Sequence, residues 1–327
     1  MIVPILLFVV GLVLLIKGGD WFVDGATGIA HRFGLPELLI GATVVSIGTT
    51  LPEVMVSVTS ALGGHGEIAY GNAIGSIICN TSLIAALTVA IRPGKADRGA
   101  LRLPVAFFFG AAALYVGVAY AFGAFSRVSG AVLLAIFVCY IVVSVMQVKK
   151  QTAAAGEVAV AEESVAATGS GRLVKDIVML ILGAALIAVG ADLLVDNGTL
   201  IAQSLGVPES VIALTFVALG TSLPELVTAI TALVKGHSAL SLGNIIGANL
   251  FNLVLVSAVS SLLSPFSLPV SKTIAGMNAS LVLDIPVMLA VMTILIVPTL
   301  IRGKLSRIQG ISLLAIYAAF CVVQFAL

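Results

Sequence analysis

The stretch SIGTTLPEVM, residues 46–55, places two threonines, a proline and a glutamate inside a run that is otherwise apolar enough to cross a membrane. A closely similar stretch, ALGTSLPELV, occupies residues 218–227. Sliding the sequence against itself by 172 residues aligns the two, and the same shift aligns GNAIGSIICN at 71–80 with GNIIGANLFN at 243–252. Shared hydrophobicity matches apolar letters at any shift, so one constant offset indicates an internal duplication.

The composition of the chain is that of an integral membrane protein. Of its 327 residues, 60% are hydrophobic and 9% are charged, against about 25% charged in an average soluble domain. Apolar stretches of roughly 20 residues, enough for a helix to cross a bilayer, occur ten times. We therefore predict an all-α membrane protein with ten transmembrane helices. The predicted spans are 2–30, 37–62, 68–91, 100–122, 127–148, 173–203, 209–234, 240–264, 278–300 and 308–326.

The duplication predicts two inverted five-helix repeats. Five spans separate equivalent positions, and because five is odd, the second copy enters the membrane from the opposite face. The repeats are predicted at 1–150 and 172–327, joined by a flexible cytoplasmic linker at 151–171 that is rich in Ala, Gly and Glu. Inverted repeats are characteristic of secondary transporters, whose sites form near the bilayer midplane from interrupted helices.

The distribution of basic residues predicts the orientation of the chain. Thirteen of the 16 lysines and arginines fall in loops that follow odd-numbered spans. By the positive-inside rule these loops are cytoplasmic, so both termini are expected outside. The surroundings of the chain are then a lipid bilayer, no nucleic-acid partner is expected, and we expect the protein to act as a monomer.

Two glutamates are predicted near the middle of the bilayer. Glu53 lies 16 residues after Glu37 in its span, which corresponds to roughly 24 Å of helix, and Glu225 lies at the equivalent depth from the other face. A carboxylate there costs at least ~2.5 kcal/mol, and neither span offers a Lys or Arg at that depth. Protons or bound cations must therefore neutralise the two charges.

The surroundings of these glutamates favour a cation. Pro52 has no N–H for the preceding turn, which is predicted to leave peptide oxygens around residues 46–48 available, and Pro224 repeats this around residues 218–220. Thr49 and Thr50 share the helix face of Glu53. In the next span a polar stripe recurs every fourth residue and is copied in the second half: Asn72, Ser76 and Asn80, then Asn244, Ala248 and Asn252. Such hard oxygen atoms suit Ca²⁺ and also Na⁺.

At these residues the sequence resembles the sodium/calcium exchangers of the cation/calcium antiporter superfamily, whose two inverted repeats carry motifs of this type. The resemblance implies electrogenic alternating access in which several Na⁺ ions enter and one Ca²⁺ ion leaves. It implies that Glu53 and Glu225 are the central carboxylates for both ions. The other implied ligands are the hydroxyl or backbone groups of Thr49, Thr50, Thr221 and Ser222, the carbonyls of Ser46 and Ala218, and the side chains of Ser76, Asn80 and Asn252.

Two departures from the family pattern affect the expected ion sites. Ala248 stands where the family usually has serine. The missing hydroxyl removes one ligand of a peripheral Na⁺ site, and this bears on the number of Na⁺ ions exchanged for each Ca²⁺ ion. Asn252 stands where potassium-dependent relatives have aspartate, so K⁺ dependence is not expected. The short linker resembles a minimal prokaryotic form, which implies a multi-pass protein of the plasma (inner) membrane. No cofactor is expected, because Ca²⁺ and Na⁺ are the transported substrates.

Three alternative functions compete with this interpretation. A proton-coupled Ca²⁺ antiporter would use the same two glutamates as proton carriers, although related proton exchangers place a further acid where this chain has Asn72 and Asn244. A channel would need a continuous polar pore, whereas the polar stripes are confined to four spans. An intramembrane enzyme would need a nucleophile and base or a metal triad, which the spans do not offer, so no enzymatic activity is expected. In the favoured mechanism, spans 1 and 6 move to open one face at a time.

Overall fold

The computed structural model describes residues 2–159, 170–205, 220–270 and 273–326, and almost all of these are helical. Within them we label the helices α1 Ile2–Arg32, α2 Glu37–Leu62, α3 Gly66–Ile91, α4 Arg98–Phe122, α5 Arg127–Ala159, α6 Ser170–Ser204, α7 Leu223–Lys235, α8 Ser238–Leu263, α9 Ser280–Arg302 and α10 Arg307–Ala326. Four two-residue strands form antiparallel pairs, and these are β1 Ala124–Phe125 with β2 Phe266–Ser267, and β3 Thr273–Ile274 with β4 Met277–Asn278.

The helices match the spans predicted from the sequence. In the described part of the chain, nine helices are long and apolar enough to cross a membrane. The seventh predicted span, 209–234, falls partly on residues 206–219, which lie outside the described residues, and α7 forms its remaining part. The prediction of an all-α membrane protein is confirmed.

Two contacts between loops are consistent with ten crossings. The β1 strand after α4 pairs with the β2 strand after α8, and Lys95 after α3 forms an isolated β-bridge with Lys304 after α9. Paired loops lie on the same side of a membrane, so an even number of crossings must separate them. In the ten-span prediction four spans separate β1 from β2 and six separate Lys95 from Lys304, so both pairings agree with it.

Four of the described spans contain a π-helical turn, and three of these turns overlap or directly adjoin the repeated motifs. These turns lie at Gly41–Val45 in α2, Asn80–Ala85 in α3 and Asn252–Val256 in α8. The second and third start at equivalent positions of the two copies. A π turn widens the helix and is frequent at functional sites. In α2 the Ser46 hydroxyl donates to the Gly41 carbonyl at 2.7 Å, so the polar side chain satisfies part of the widened turn.

The duplication is also visible in local backbone geometry. Gly64 and Gly236, which are 172 positions apart, both have positive φ values, of 82° and 89°, a conformation that glycine adopts without steric cost. The next residue closes the same turn in each copy. The His65 N–H donates to the Ser60 carbonyl at 2.8 Å, and the His237 N–H donates to the carbonyl of residue 232 at 2.7 Å.

By packing, the chain divides into two compact units. One consists of residues 1–49 with 141–244, and the other of residues 50–140 with 245–327. Each unit contains residues from both sequence copies. The units therefore do not test the repeat boundaries at 150 and 172, which stay predictions. The predicted linker is helical up to Ala159, and residues 160–169 lie outside the described residues.

In the first unit, α1 and α6 lie side by side along their length and run antiparallel. A Cβ atom at Gly11 would lie 2.8 Å from the Gly190 carbonyl oxygen, and one at Gly18 would lie 2.9 Å from the Gly183 carbonyl oxygen. Gly183 and Gly190 are the copies of Gly11 and Gly18, so the same glycines bring the backbones together from both sides. Equivalent helices that run in opposite directions are what inverted repeats require.

In the second unit, an arginine of each copy caps the end of a helix in the other copy. The Arg127 guanidinium donates to the Leu262 carbonyl at 3.1 Å, and the Arg307 guanidinium donates to the Ala90 carbonyl at 2.9 Å. Ala90 and Leu262 are equivalent under the shift of 172, and the two arginines begin the fifth and tenth helices. This exchange supports the inverted arrangement, which remains a prediction for the complete halves.

Candidate ion-binding residues

Both predicted carboxylates lie in the protein interior. Glu53 in α2 and Glu225 in the first turn of α7 are each 0% exposed. Taking an ionised carboxylate out of water costs several kcal/mol, so each requires a compensating positive charge or a proton. The burial predicted from the sequence is therefore observed for both residues, each within its own unit.

The proline of the motif acts differently in the two copies. Pro52 lies inside a helix that continues from Ser46 to Leu62, so it removes one hydrogen bond without ending the helix. Pro224 lies in the first turn of α7, where its missing N–H has no helical partner to lose. Glu225 consequently stands at a helix N-terminus, where the peptide dipoles favour a negative charge.

The structure also locates the side chains that the resemblance implies as ligands. Ser46, Thr49, Thr50, Ser76, Asn80, Ser222 and Asn252 are buried, and Thr221 is half-buried. Thr221 and Ser222 form a turn just before α7. Ala218 lies outside the described residues, so its predicted role as a carbonyl donor has no structural description.

Four of these candidate ligands carry buried oxygen atoms that make no hydrogen bond within the described part of the chain. They are Thr50 Oγ1, Asn80 Oδ1, Ser222 Oγ and Asn252 Oδ1. A buried polar atom without a partner costs about 1–3 kcal/mol, and most such atoms in native proteins are paired. Hydroxyl and amide oxygens with available lone pairs are ligands that a hard cation accepts. The oxygens without partners therefore coincide with the positions that the motif assigns to ions.

Asn244 organises a second group of candidate ligands in the first unit. The Thr49 hydroxyl donates to Asn244 Oδ1 at 3.1 Å, and the Ser46 oxygen lies 2.9 Å from the Asn244 backbone carbonyl, which shares the one Ser46 hydroxyl proton with the Gly41 carbonyl. Asn244 is 0% exposed. Because the Thr49 proton is used by Asn244, the lone pairs of the Thr49 oxygen are directed elsewhere. Sequence reasoning placed Asn244 in the polar stripe but did not include it among the site residues.

Its counterpart Asn72 supports the helix of Glu53 in the second unit. The Asn72 amide donates to the Glu53 backbone carbonyl at 3.1 Å and to the Ser57 hydroxyl at 2.8 Å. These bonds fix α3 against α2 beside the buried carboxylate. Both contacts use the amide as a donor, which an ionised acid at this position could not do.

The polar stripe is interrupted in the second copy, as the sequence shows. Ser76 and Asn80 are both buried on α3, whereas α8 carries Ala248 and Asn252. The Asn252 amide donates to the Ala248 backbone carbonyl at 3.0 Å, which leaves its Oδ1 as the acceptor. Each asparagine also begins a π turn.

One buried polar cluster was missed by sequence reasoning. The Asn249 amide donates to the Thr81 hydroxyl at 2.7 Å and lies 3.2 Å from the Met292 sulfur. All three side chains lie within the second unit and join α3, α8 and α9. The equivalent of Asn249 in the first copy is Ile77, so the duplication gave no signal for this contact.

A charged cluster joins α1 to α7 in the first unit. The Lys235 ammonium lies 2.7 Å from Asp24 Oδ1 and 3.3 Å from Asp20 Oδ1. The copies of the two aspartates are Asp192 and Asp196, but the copy of Lys235 is Gly63. The ion pair therefore joins the two copies, and the shift of 172 gives it no counterpart because Gly63 replaces the lysine.

Comparisons with known proteins agree with the motifs. The family model described as sodium/calcium exchanger protein matches residues 3–146 and 175–326. The sodium/calcium exchanger MaX1 of Methanosarcina acetivorans is 34% identical over 99% of each chain, and the putative antiporter CaxA of Alkalimonas amylolytica is 33% identical over 100% of this chain and 99% of its own. A solved structure of the sodium-calcium exchanger NCX_Mj, soaked with Na⁺ and Ca²⁺, superimposes with a TM-score of 0.81 at 31% identity and covers 98% of both chains.

Proposed function

Because the chain belongs to the sodium/calcium exchanger family, we propose that it is an electrogenic Na⁺/Ca²⁺ antiporter that extrudes Ca²⁺ by alternating access. The family is one of membrane transporters, and the matched region includes both copies of the motif. The observation that carries the proposal is the set of buried oxygens on Thr50, Asn80, Ser222 and Asn252 that have no hydrogen-bond partner among the residues that the structure describes. These oxygens occur on the residues that the motif assigns to ion binding.

The two buried glutamates account for the charge balance of such an exchange. In the proposal Glu53 and Glu225 together offset the two charges of one Ca²⁺ ion. Na⁺ ions use the same carboxylates together with hydroxyl, amide and carbonyl oxygens, so the two substrates compete for one set of ligands. Transport is electrogenic if more than two Na⁺ ions replace one Ca²⁺ ion. Ala248 supplies no hydroxyl, so the number of Na⁺ ions is the part of the mechanism most open to measurement.

The alternative is exchange of Ca²⁺ for protons at the same two glutamates. Burial disfavours the charged form of a carboxylate, which makes protonation a realistic competitor. The use of Asn72 as an amide donor beside Glu53 favours Na⁺, because no additional acid stands at this position to take a proton. MaX1 and NCX_Mj are both named as sodium and calcium exchangers, which also supports Na⁺.

Alternating access is proposed to depend on α1 and α6. Their glycines bring the two backbones into close contact along both helices, which suits two long helices that move as a pair. In the proposed orientation both termini face outward, the linker is cytoplasmic and the protein resides in a prokaryotic plasma membrane. We propose no catalytic activity and no cofactor.

The experiment that tests this function is Ca²⁺ uptake into liposomes that contain the purified protein. Vesicles loaded with Na⁺ are diluted into Na⁺-free buffer with radioactive Ca²⁺, and matched vesicles carry a pH gradient or an imposed voltage. The proposal predicts uptake that requires the Na⁺ gradient, ignores the pH gradient and responds to voltage. Uptake driven by the pH gradient alone would replace Na⁺ by protons, and voltage-independent uptake would contradict electrogenic exchange. Vesicles with Glu53→Gln should show no uptake, whereas vesicles with the exposed Glu67→Gln should match the unmodified protein.

A further inference from the structure

A fixed cluster of basic residues lies where two loops of the second unit meet. The loop between α3 and α4 is joined to the loop between α9 and α10 by the Lys95–Lys304 bridge. Two more backbone bonds hold them together, from the Ala96 N–H to the Gly303 carbonyl at 3.0 Å and from the Leu305 N–H to the Gly94 carbonyl at 2.8 Å. Segments about 200 residues apart in the sequence thus form one rigid surface.

This surface carries a large excess of positive charge. We define the basic patch by its seven members, Arg92, Lys95, Arg98, Arg102, Arg302, Lys304 and Arg307, all of which are exposed. The one acid in these loops, Asp97, accepts hydrogen bonds from the backbone N–H groups of Gly99 and Ala100 at the start of α4. For members other than Arg92, no salt bridge exists among the described residues.

Helix capping accounts for only part of this charge. The Arg98 guanidinium donates to the Ile301 carbonyl at 2.6 Å and the Arg307 guanidinium donates to the Ala90 carbonyl at 2.9 Å, so both cap helix ends. Among the described residues, neither Lys95 nor Lys304 caps a helix end. They stand directly opposite each other in the bridge, an arrangement that like charges destabilise. The positive-inside rule explains why a loop is basic but not why two lysines are fixed face to face.

An apolar rim adjoins the basic patch. Ile91, Ile301 and Ile308 are 61%, 69% and 77% exposed, and each is next in the sequence to an arginine of the patch. A soluble anion would need the cations but would gain nothing from exposed isoleucines. An anionic phospholipid offers both a phosphate and acyl chains, so it complements the patch and the rim together.

We propose that the basic patch binds the headgroup phosphates of anionic phospholipids, with Lys95 and Lys304 as the central ligands and the isoleucine rim in contact with the acyl chains. A bound phosphate relieves the repulsion between the two lysines, and anionic membrane surfaces attract basic residues next to a transmembrane helix. The position of the patch at the ends of four predicted spans places it at the level of the headgroups.

The proposal is tested with the full-length protein and native mass spectrometry. Phosphatidylglycerol or phosphatidylcholine is titrated onto the detergent-solubilised protein, and the number of retained lipids is counted. The unmodified protein should prefer phosphatidylglycerol, and Lys95→Gln with Lys304→Gln should reduce that preference roughly fivefold for each lysine removed. The matched control removes Arg172 and Lys175, two exposed cations at the start of α6, and should keep the preference.

Several results would overturn the proposal. They are equal retention of both lipids by the unmodified protein, an equal loss in the control variant, and equally tight binding of the soluble headgroup glycerophosphoglycerol. The lysine variant should elute as a single species and melt no lower than the unmodified protein, because it removes a repulsion. Lipid binding is measured without ion transport, so a negative result leaves the exchange proposal intact.

Discussion

Replacing Thr50 by valine should stabilise the ion-free protein and weaken its response to Ca²⁺. Thr50 is 0% exposed and its hydroxyl makes no hydrogen bond within the described residues. Valine has nearly the same shape and no polar atom, so the substitution removes the cost of burying an unpaired hydroxyl, which is about 1–3 kcal/mol. Most buried substitutions destabilise a protein, so a gain in stability would identify the hydroxyl as a group kept for binding.

The loss in ion response can be estimated from linkage. A ligand present at 100 times its dissociation constant stabilises the folded state by about 2.7 kcal/mol. If loss of one oxygen ligand weakens Ca²⁺ binding tenfold, the same Ca²⁺ concentration stabilises the variant by only about 1.4 kcal/mol. The two effects have opposite signs, so they separate clearly in one experiment.

The assay is thermal unfolding in detergent, with chelator and then with increasing Ca²⁺. Thr299→Val is the matched control, because the Thr299 hydroxyl is also 0% exposed but donates to the Leu295 carbonyl at 2.6 Å and accepts from Gln309 at 3.2 Å. The control should lose about 1 kcal/mol in its free energy of unfolding and therefore melt at a lower temperature. Its stabilisation by Ca²⁺ should equal that of the unmodified protein. If Thr50→Val melts lower without ions and keeps the Ca²⁺ response of the unmodified protein, the Thr50 hydroxyl is not a group kept for ion binding.

Three further predictions concern other parts of the structure. Gly18→Ala should lower the free energy of unfolding by on the order of 1–3 kcal/mol, and with it the melting temperature, because its Cβ would lie 2.8 Å from an α6 backbone atom. Gly110→Ala, whose Cβ would have nothing within 4 Å, should be neutral or stabilising. Lys235→Gln should lower the free energy of unfolding by at most ~1 kcal/mol and make the melting temperature less sensitive to salt. An unchanged salt dependence would contradict an energetic role for the ion pair of Lys235 with Asp20 and Asp24. Asn72→Asp should make Ca²⁺ uptake sensitive to a pH gradient, because only a protonated acid can still donate to the Glu53 carbonyl; uptake that stays indifferent to pH would contradict this.

Much of the fold followed from the sequence because two signals are strong in a membrane protein. Apolar runs of membrane-spanning length predicted the helices, and α2 begins and ends at the predicted residues 37 and 62. The constant offset of 172 predicted that equivalent turns recur, as Gly64 and Gly236 do. The ten-span count also explains which loops pair across the second unit.

Other features depend on packing that periodicity does not encode. The π turn at Gly41–Val45 has no sequence mark, because a π turn and an α turn use the same residue types. The sequence treated the two prolines as equivalent, but Pro52 lies within a helix and Pro224 begins one. The contact of Asn249 with Thr81 joins helices from both copies and has no duplicate, so comparison of the copies could not reveal it.

In the exchange that we propose, the transported cation binds to Glu53 and Glu225 together with the buried oxygens that make no hydrogen bond within the described residues. The most direct measurement is an experimental structure of the protein with Ca²⁺, in which anomalous scattering locates the ion. We predict Ca²⁺ at about 2.3–2.6 Å from carboxylate oxygens of both glutamates, with at least one of the oxygens on Thr50, Asn80, Ser222 or Asn252 in the same coordination shell. Density for Ca²⁺ bound elsewhere, with both glutamates uncoordinated, would contradict it.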